Sequence, residues 1–167
     1  NYHLITEEEL NVKMNKDEKI IPLKNSMGDY NHLRNRLLSS LLKNLNENQH
    51  HEYPQNIFEI GRTFNYGKTE TGVLEVEHLA IVLCHEKADF TEVRQVLGAL
   101  MNSLGLEYSI KESKRPSFLP GRVGEIIVKG KKVGILGEFS PEVLTNWDLT
   151  MPVVGLELDL EQVFDLL

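Results

Sequence analysis

Six short runs rich in β-branched and aromatic residues, each bounded by glycine, proline or polar clusters, constrain this chain more than any other feature. They are Gln55–Phe64, His78–His85, Leu106–Lys111, Val123–Val128, Lys132–Glu138 and Val153–Leu160. They do not alternate regularly with helical stretches, as parallel βαβ units would, so the expected class is α+β: a mainly antiparallel sheet with its helices on one face. Lys129-Gly130-Lys131, between two of the runs, reads as a hairpin turn. The 167 residues suit one domain, residues 1–167, large enough for a real core, and no internal repeat or low-complexity segment divides it.

Two helices stand out between the strands. Leu33, Leu37, Leu38, Leu41, Leu42 and Leu45 recur at helical spacing and predict an amphipathic helix over Tyr30–Asn48, with Arg34, Arg36 and Lys43 on its polar face and Asp29 or Asn31 as its cap. Asp89 followed by Glu92 predicts an N-terminus, Val93, Val96, Leu97, Leu100, Met101 and Leu104 the apolar face, and Gly105 the stop of a second helix. Ser140-Pro141-Glu142 opens a short third helix, since proline at the first helical position gives up only an amide that has no partner there. Asp159 opens a fourth.

With 18 Lys+Arg against 25 Asp+Glu the net charge is −7, which argues against a free-standing nucleic-acid or anionic-membrane binder. Contact with tRNA or DNA would need a partner's charges or a local basic patch. Charge is also uneven: Val133–Leu167 contains no Lys or Arg but seven acids, Glu138, Glu142, Asp148, Glu157, Asp159, Glu161 and Asp165. The single cysteine, Cys84, rules out an internal disulfide and a cysteine-rich zinc site, and no apolar run approaches the roughly 18 residues of a membrane span. A reducing cytoplasm is the expected compartment. The polar opening stretch, residues 1–19, has neither the basic flank nor the apolar run of a signal peptide and reads as a peripheral segment of a fragment cut from a longer polypeptide.

No catalytic apparatus is visible from composition and spacing. His50-His51 and Cys84-His85 lack paired ligand spacing and read as solvent histidines at a helix end and a buried strand thiol. No nucleophile elbow or phosphate-cradling glycine loop appears; the glycine pairs Gly121/Gly124 and Gly134/Gly137 read as tight turns and close strand packing. Glu157, Asp159 and Glu161 alternate, so on a strand they would share one face, either holding a divalent cation or, more commonly, forming a solvated edge.

Several segments in order resemble the C-terminal, synthetase-like module of the phenylalanyl-tRNA synthetase β subunit of the archaeal and eukaryotic type. They are Asp29-Tyr30-Asn31-His32-Leu33-Arg34 into Leu37-Leu38, then Glu52-Tyr53-Pro54-Gln55-Asn56-Ile57-Phe58-Glu59-Ile60-Gly61, His78-Leu79-Ala80 and Ala88-Asp89-Phe90-Thr91-Glu92. Pro116-Ser117-Phe118-Leu119-Pro120-Gly121-Arg122, Gly134–Leu144 and Pro152–Leu158 complete the set, which covers roughly Ile20–Glu161. Asn25-Ser26 and Ser140 depart from the pattern, where the family often has Asn-Pro and a histidine.

The resemblance implies the class II synthetase architecture, an antiparallel sheet flanked by helices. In catalytic members of that class a strand ending Phe-Arg-x-Glu brings an arginine to the ATP α-phosphate and a glutamate near adenine. Aligned on Phe58–Phe64, those positions fall on Asn65 and Gly67, and the late motif whose arginine would meet the γ-phosphate falls on the arginine-free stretch Pro152–Glu161. Adenylate chemistry needs cationic donors where charge develops on the phosphates, and an acidic strand end supplies the opposite sign. Arg62 shares the face of Phe64, not that of Asn65, so it is misplaced as a substitute.

The implied role is a catalytically silent assembly domain. It has no catalytic, cofactor or metal residues of its own and packs against the catalytic α subunit of an α2β2 heterotetramer that joins phenylalanine to tRNA(Phe), with ATP and Mg2+ used on α and no membrane involved. Arg34, Arg36, Leu37, Leu41 and Arg122 are the expected interface residues. The rival expectations are a synthetase paralogue or regulatory subunit that binds ATP or an amino acid, and an interaction module of an unrelated complex.

Overall fold

The computed structural model describes residues 3–26 and 28–167; Asn1 and Tyr2, where the opening segment begins, and Met27 lie outside them. The chain opens with strand β1 (Leu4–Ile5), a π-helical turn (Glu8–Val12), β2 (Ile21–Pro22) and β3 (His32–Leu33). These strands form a small antiparallel sheet in the order β1-β3-β2. Helix α1 (Leu38–Glu47) leads into the long hairpin of β4 (Gln55–Tyr66) and β5 (Val73–Cys84), followed by α2 (Phe90–Ser103). Then come β6 (Ser109–Glu112), β7 (Phe118–Val128), β8 (Lys131–Phe139), α3 (Pro141–Asn146), β9 (Val153–Asp159) and α4 (Leu160–Phe164). The six long strands form one antiparallel sheet, ordered β4-β5-β9-β8-β7-β6. The α+β class and all six predicted strands are present.

Local chemistry accounts for the elements read best from the sequence. The β7–β8 connection is two residues, Lys129 and Gly130, with φ of 48° and 78°, the paired positive values that match the twist of a two-residue hairpin. At the start of α2 an Asp89 carboxylate oxygen accepts from the Glu92 amide at 2.8 Å. At its end Leu106 N donates to Met101 O and Gly105 N to Asn102 O, closing the helix through a left-handed glycine. Ser140 and Asp159 likewise accept from the Val143 and Gln162 amides and start α3 and α4. The glycine pairs behave as read. Gly121 sits at φ 75°, and a Cβ on Gly124 or Gly134 would lie 2.3 Å from Ile110 Cγ2 or Glu157 O.

Two expectations are corrected. Helices cover both faces of the sheet, not one. Leu38, Leu41, Leu42 and Leu45 of α1 pack with Val143 and Trp147 against Ala80, Val82, Cys84, Phe118 and Phe139. Val93, Leu97 and Met101 of α2 and Leu160 and Val163 of α4 pack on the other side against Leu79, Leu83, Leu136, Leu156 and Leu158. A strand apolar on both sides must be covered on both, and the unbroken run Leu79–Leu83 is of that kind; the central strand β9 is also buried on both sides, with Glu157 as its one buried charge. Burial of each such leucine contributes roughly 1.5–3 kcal/mol.

The second correction is the first helix, which begins at Leu38 rather than Tyr30. Leu33 fits the helical spacing but belongs to β3, where it pairs with Leu4 and Ile21, and neither Asp29 nor Asn31 caps the helix. From His3 on, the opening segment expected at the periphery is built into the fold: Ile5, Leu10 and Met14 are buried, and the Ser117 hydroxyl donates to the Met14 carbonyl. Its helical turn is held by a capping box. Thr6 Oγ1 accepts from Glu9 N at 3.1 Å, and Glu9 Oε2 accepts from Thr6 N at 3.2 Å.

Candidate functional site

Helix α1 has leucine, Leu37, at its N-cap and no side chain of its own to meet its first amides. A carboxylate 120 residues later does so instead. Glu157, in the centre of β9, accepts from Leu37 N at 3.2 Å on both oxygens and from Leu38 N at 3.1 Å, and its Oε1 lies 2.6 Å from His78 Nδ1. Since a carboxylate only accepts, the proton of that last bond sits on the histidine. Burial pushes the Glu157 carboxyl up, but the His78 bond and charge, Arg36 and the Leu37 amide outweigh it and hold the group below the usual carboxylate range. The ionised side chain meets the positive end of the helix.

Beside it lies a second buried charge. Arg34, 1% exposed, donates through Nη1 to Glu59 Oε1 at 2.7 Å and through Nε to the Arg62 carbonyl at 3.0 Å. Its backbone also pairs with the outer edge of β4, where Phe64 N donates to Arg34 O at 2.9 Å. Gly61 makes room for the guanidinium, because a Cβ there would lie 2.5 Å from Arg34 Nη2. Arg36 and Lys16 converge on Glu18, at 3.5 and 2.8 Å, and Asn35 Nδ2 donates to the same carboxylate at 2.8 Å. Burial opposes ionisation of Glu18, but Lys16, Arg36 and Asn35 bring its pKa down to about 2, while burial lowers that of Lys16.

The predicted site residues therefore separate. Arg34, Leu37 and Leu41 lie inside this chain, 1%, 0% and 1% exposed, and have no surface to present to a partner, which corrects their reading as interface residues. The leucine stripe of α1 is as the spacing predicts, but Arg34 lies between β3 and α1 and not on a polar face of the helix, which starts at Leu38. Arg36 is half-buried against Glu18. Arg122 is exposed, 3.8 Å from Glu138. Glu157, read as part of a solvated or cation-holding row, is buried; Asp159 caps α4, and Glu161 lies on that helix. The Cys84 thiol is buried on β5, and desolvation pushes its pKa up to about 11.

The positions that the resemblance compares with nucleotide-gripping groups, Asn65 and Gly67, carry no cationic side chain. Asn65 is neutral, and a side chain on Gly67 would start 2.7 Å from Leu74 Cβ, so the hairpin has no room for one. Arg62 is exposed, 3.2 Å from Glu75, and alternates with Thr63 and Asn65 along the strand. Arg34, Arg36 and Lys16 each have a carboxylate within 3.5 Å. The arrangement can tie the opening segment, α1, β4 and β9 together; it does not present convergent cations to a phosphate chain. Among the described residues no group of three or more metal-ligating side chains is placed to hold an ion.

The family profile of the phenylalanyl tRNA synthetase beta chain CLM domain matches residues 1–160. The chain belongs to that family. It is similar to proteins named phenylalanine–tRNA ligase beta subunit in Thermococcus gammatolerans, at 46% identity over 79% of this chain and 23% of the relative. It is likewise similar to those of Thermococcus sibiricus, at 43% over 91% and 28%, and Methanocella arvoryzae, at 40% over 96% and 30%. The chain thus spans about a quarter of the length of these relatives. Among the described residues no helix is long and apolar enough to cross a membrane.

Proposed function

We propose that this is a catalytically silent, class II synthetase-like module of a phenylalanine–tRNA ligase β subunit, C-terminal in that subunit, whose work is assembly. It packs against the catalytic α subunit in a cytoplasmic α2β2 complex that charges tRNA(Phe) with phenylalanine, ATP and Mg2+ being used on α. The observation that carries the reading is the engagement of Arg34, Arg36 and Lys16 by carboxylates, in a chain of this family whose Asn65 and Gly67 offer a nucleotide nothing cationic. Preorganised donors aimed at developing phosphate charge are what adenylation requires.

An assembly role is supported by the surface. Phe58 and Ile60 on the outer strand β4 are 70% and 55% exposed, an apolar pair of the kind that marks a contact with another protein. Arg36 and Arg122 are the predicted interface residues that retain accessible charge.

Two measurements on this chain test the reading. Titration calorimetry with ATP-Mg2+ and with phenylalanine gives no binding in the micromolar range; such binding of either ligand contradicts silence and favours the ligand-binding paralogue. Co-purification with a synthetase α subunit is retained by the wild-type chain and lost on Phe58→Asp with Ile60→Asp. Failure of the wild-type chain to associate contradicts the assembly role.

A further inference from the structure

The charge that an RNA contact would require is present locally. Residues 111–132 hold seven cations, Lys111, Lys114, Arg115, Arg122, Lys129, Lys131 and Lys132, against two acids, Glu112 and Glu125, in a chain whose net charge is −7. The fold gathers part of this excess at the β6 end of the sheet. Lys111 on the outer strand β6 is the register partner of Glu125 on β7. Arg115 Nη2 and Lys132 Nζ both reach the same oxygen, Glu125 Oε1, at 2.8 and 2.7 Å. Three cations on β6, its following loop and β8 thus flank a single carboxylate. Lys111, Lys114 and Lys132 are exposed, and Lys114 adjoins the cluster.

We infer that this strip, Lys111, Lys114, Arg115 and Lys132, is a binding surface for the sugar-phosphate backbone of RNA. The inference rests on the proposed membership of a tRNA ligase complex. Glu125 fixes the direction of two long side chains without neutralising the cluster, which keeps an excess of positive charge on one patch of an otherwise acidic molecule. The acids of 133–167 repel RNA from the parts they occupy, so the strip orients as well as attracts. Ammonium and guanidinium groups read phosphate rather than base edges, so the contact is independent of sequence and falls steeply with salt.

The test uses the assembled ligase of α and β subunits and measures tRNA(Phe) affinity across a salt series. The triple variant Lys111→Gln, Lys114→Gln, Lys132→Gln is expected to weaken binding on the order of tenfold or more at low salt and to reduce the slope of log K against log[salt] by roughly two. Glu125→Gln, which removes the strip's own negative charge, shifts affinity the other way. Unchanged affinity and slope in both variants overturns the inference and leaves protection of the outer strand as the role of these lysines. Loss of α–β association with tRNA affinity of the remaining complex unchanged also overturns it, assigning the strip to an acidic protein surface. A wild-type β chain that forms no complex with α contradicts the assembly reading instead, so the two failures are distinct.

Discussion

The two faces of the large sheet are built by different means. The face under α2 and α4 is mainly apolar, and its helices carry their own caps and stop, Asp89, Gly105 and Asp159, to which Glu138 of β8 adds one bond, accepting from Phe90 N at 2.7 Å. The face under α1 buries Arg34 and Glu157, and α1 has no cap of its own and takes one from β9. On the first face each helix has a cap within its own sequence, and the distant Glu138 only supplements that of α2. On the second, the helix, the β4 edge and the opening segment are tied by charges distant in sequence, so removing one group weakens several elements together. A buried charge tied in this way costs more to break than it contributes net, because its partner is left unpaired. The α1 face is the more cooperative of the two and the more vulnerable.

Substitutions on the two faces sharpen that contrast. The largest loss is expected for Glu157→Ala, which leaves His78 and the Leu37 and Leu38 amides without their acceptor; about 3–5 kcal/mol by urea denaturation is the expected range. Gly61→Ala forces a methyl against the Arg34 guanidinium and should cost about 1–3 kcal/mol in the same assay. Asp89→Ala, the matching cap deletion on the α2 face, should cost about 1 kcal/mol, and equality of this loss with that of Glu157→Ala would erase the distinction between the faces.

Acid should find the α1 side first. Glu18 has a folded pKa of about 2, below the usual 4.5, so the stability it contributes is complete above about 4.5 and is lost as pH falls from there through about 2. Wild-type urea midpoints should therefore fall more steeply over that window than those of Glu18→Gln, and parallel profiles would show that the Lys16–Glu18–Arg36 cluster contributes nothing.

What was legible follows the same division. The Asp89 cap, the Gly105 stop, Ser140-Pro141, Asp159 and the Lys129-Gly130 turn are local signals, and the structure contains each of them. The position of Glu157 was not legible, because its partners are Leu37 and Leu38, 120 and 119 residues away, and a carboxylate alternating with Asp159 looks solvated in the sequence. The early start assigned to α1 has the same origin: Leu33 continues the apolar period by coincidence, and only pairing with β1 and β2 shows it to be a strand residue. One missed feature did carry a signal. Thr6-Glu7-Glu8-Glu9 has the spacing of a capping box and announces the turn that secures the opening segment.

Hydrogen exchange of the Leu37 and Leu38 amides in Glu157→Gln, set beside the amides of α2, examines the long-range cap most directly. A frayed first turn of α1, with faster exchange at both leucines and unaltered protection in α2, is the predicted result. Unchanged protection at Leu37 and Leu38 would contradict it, because the charged carboxylate would then not be what secures the first turn.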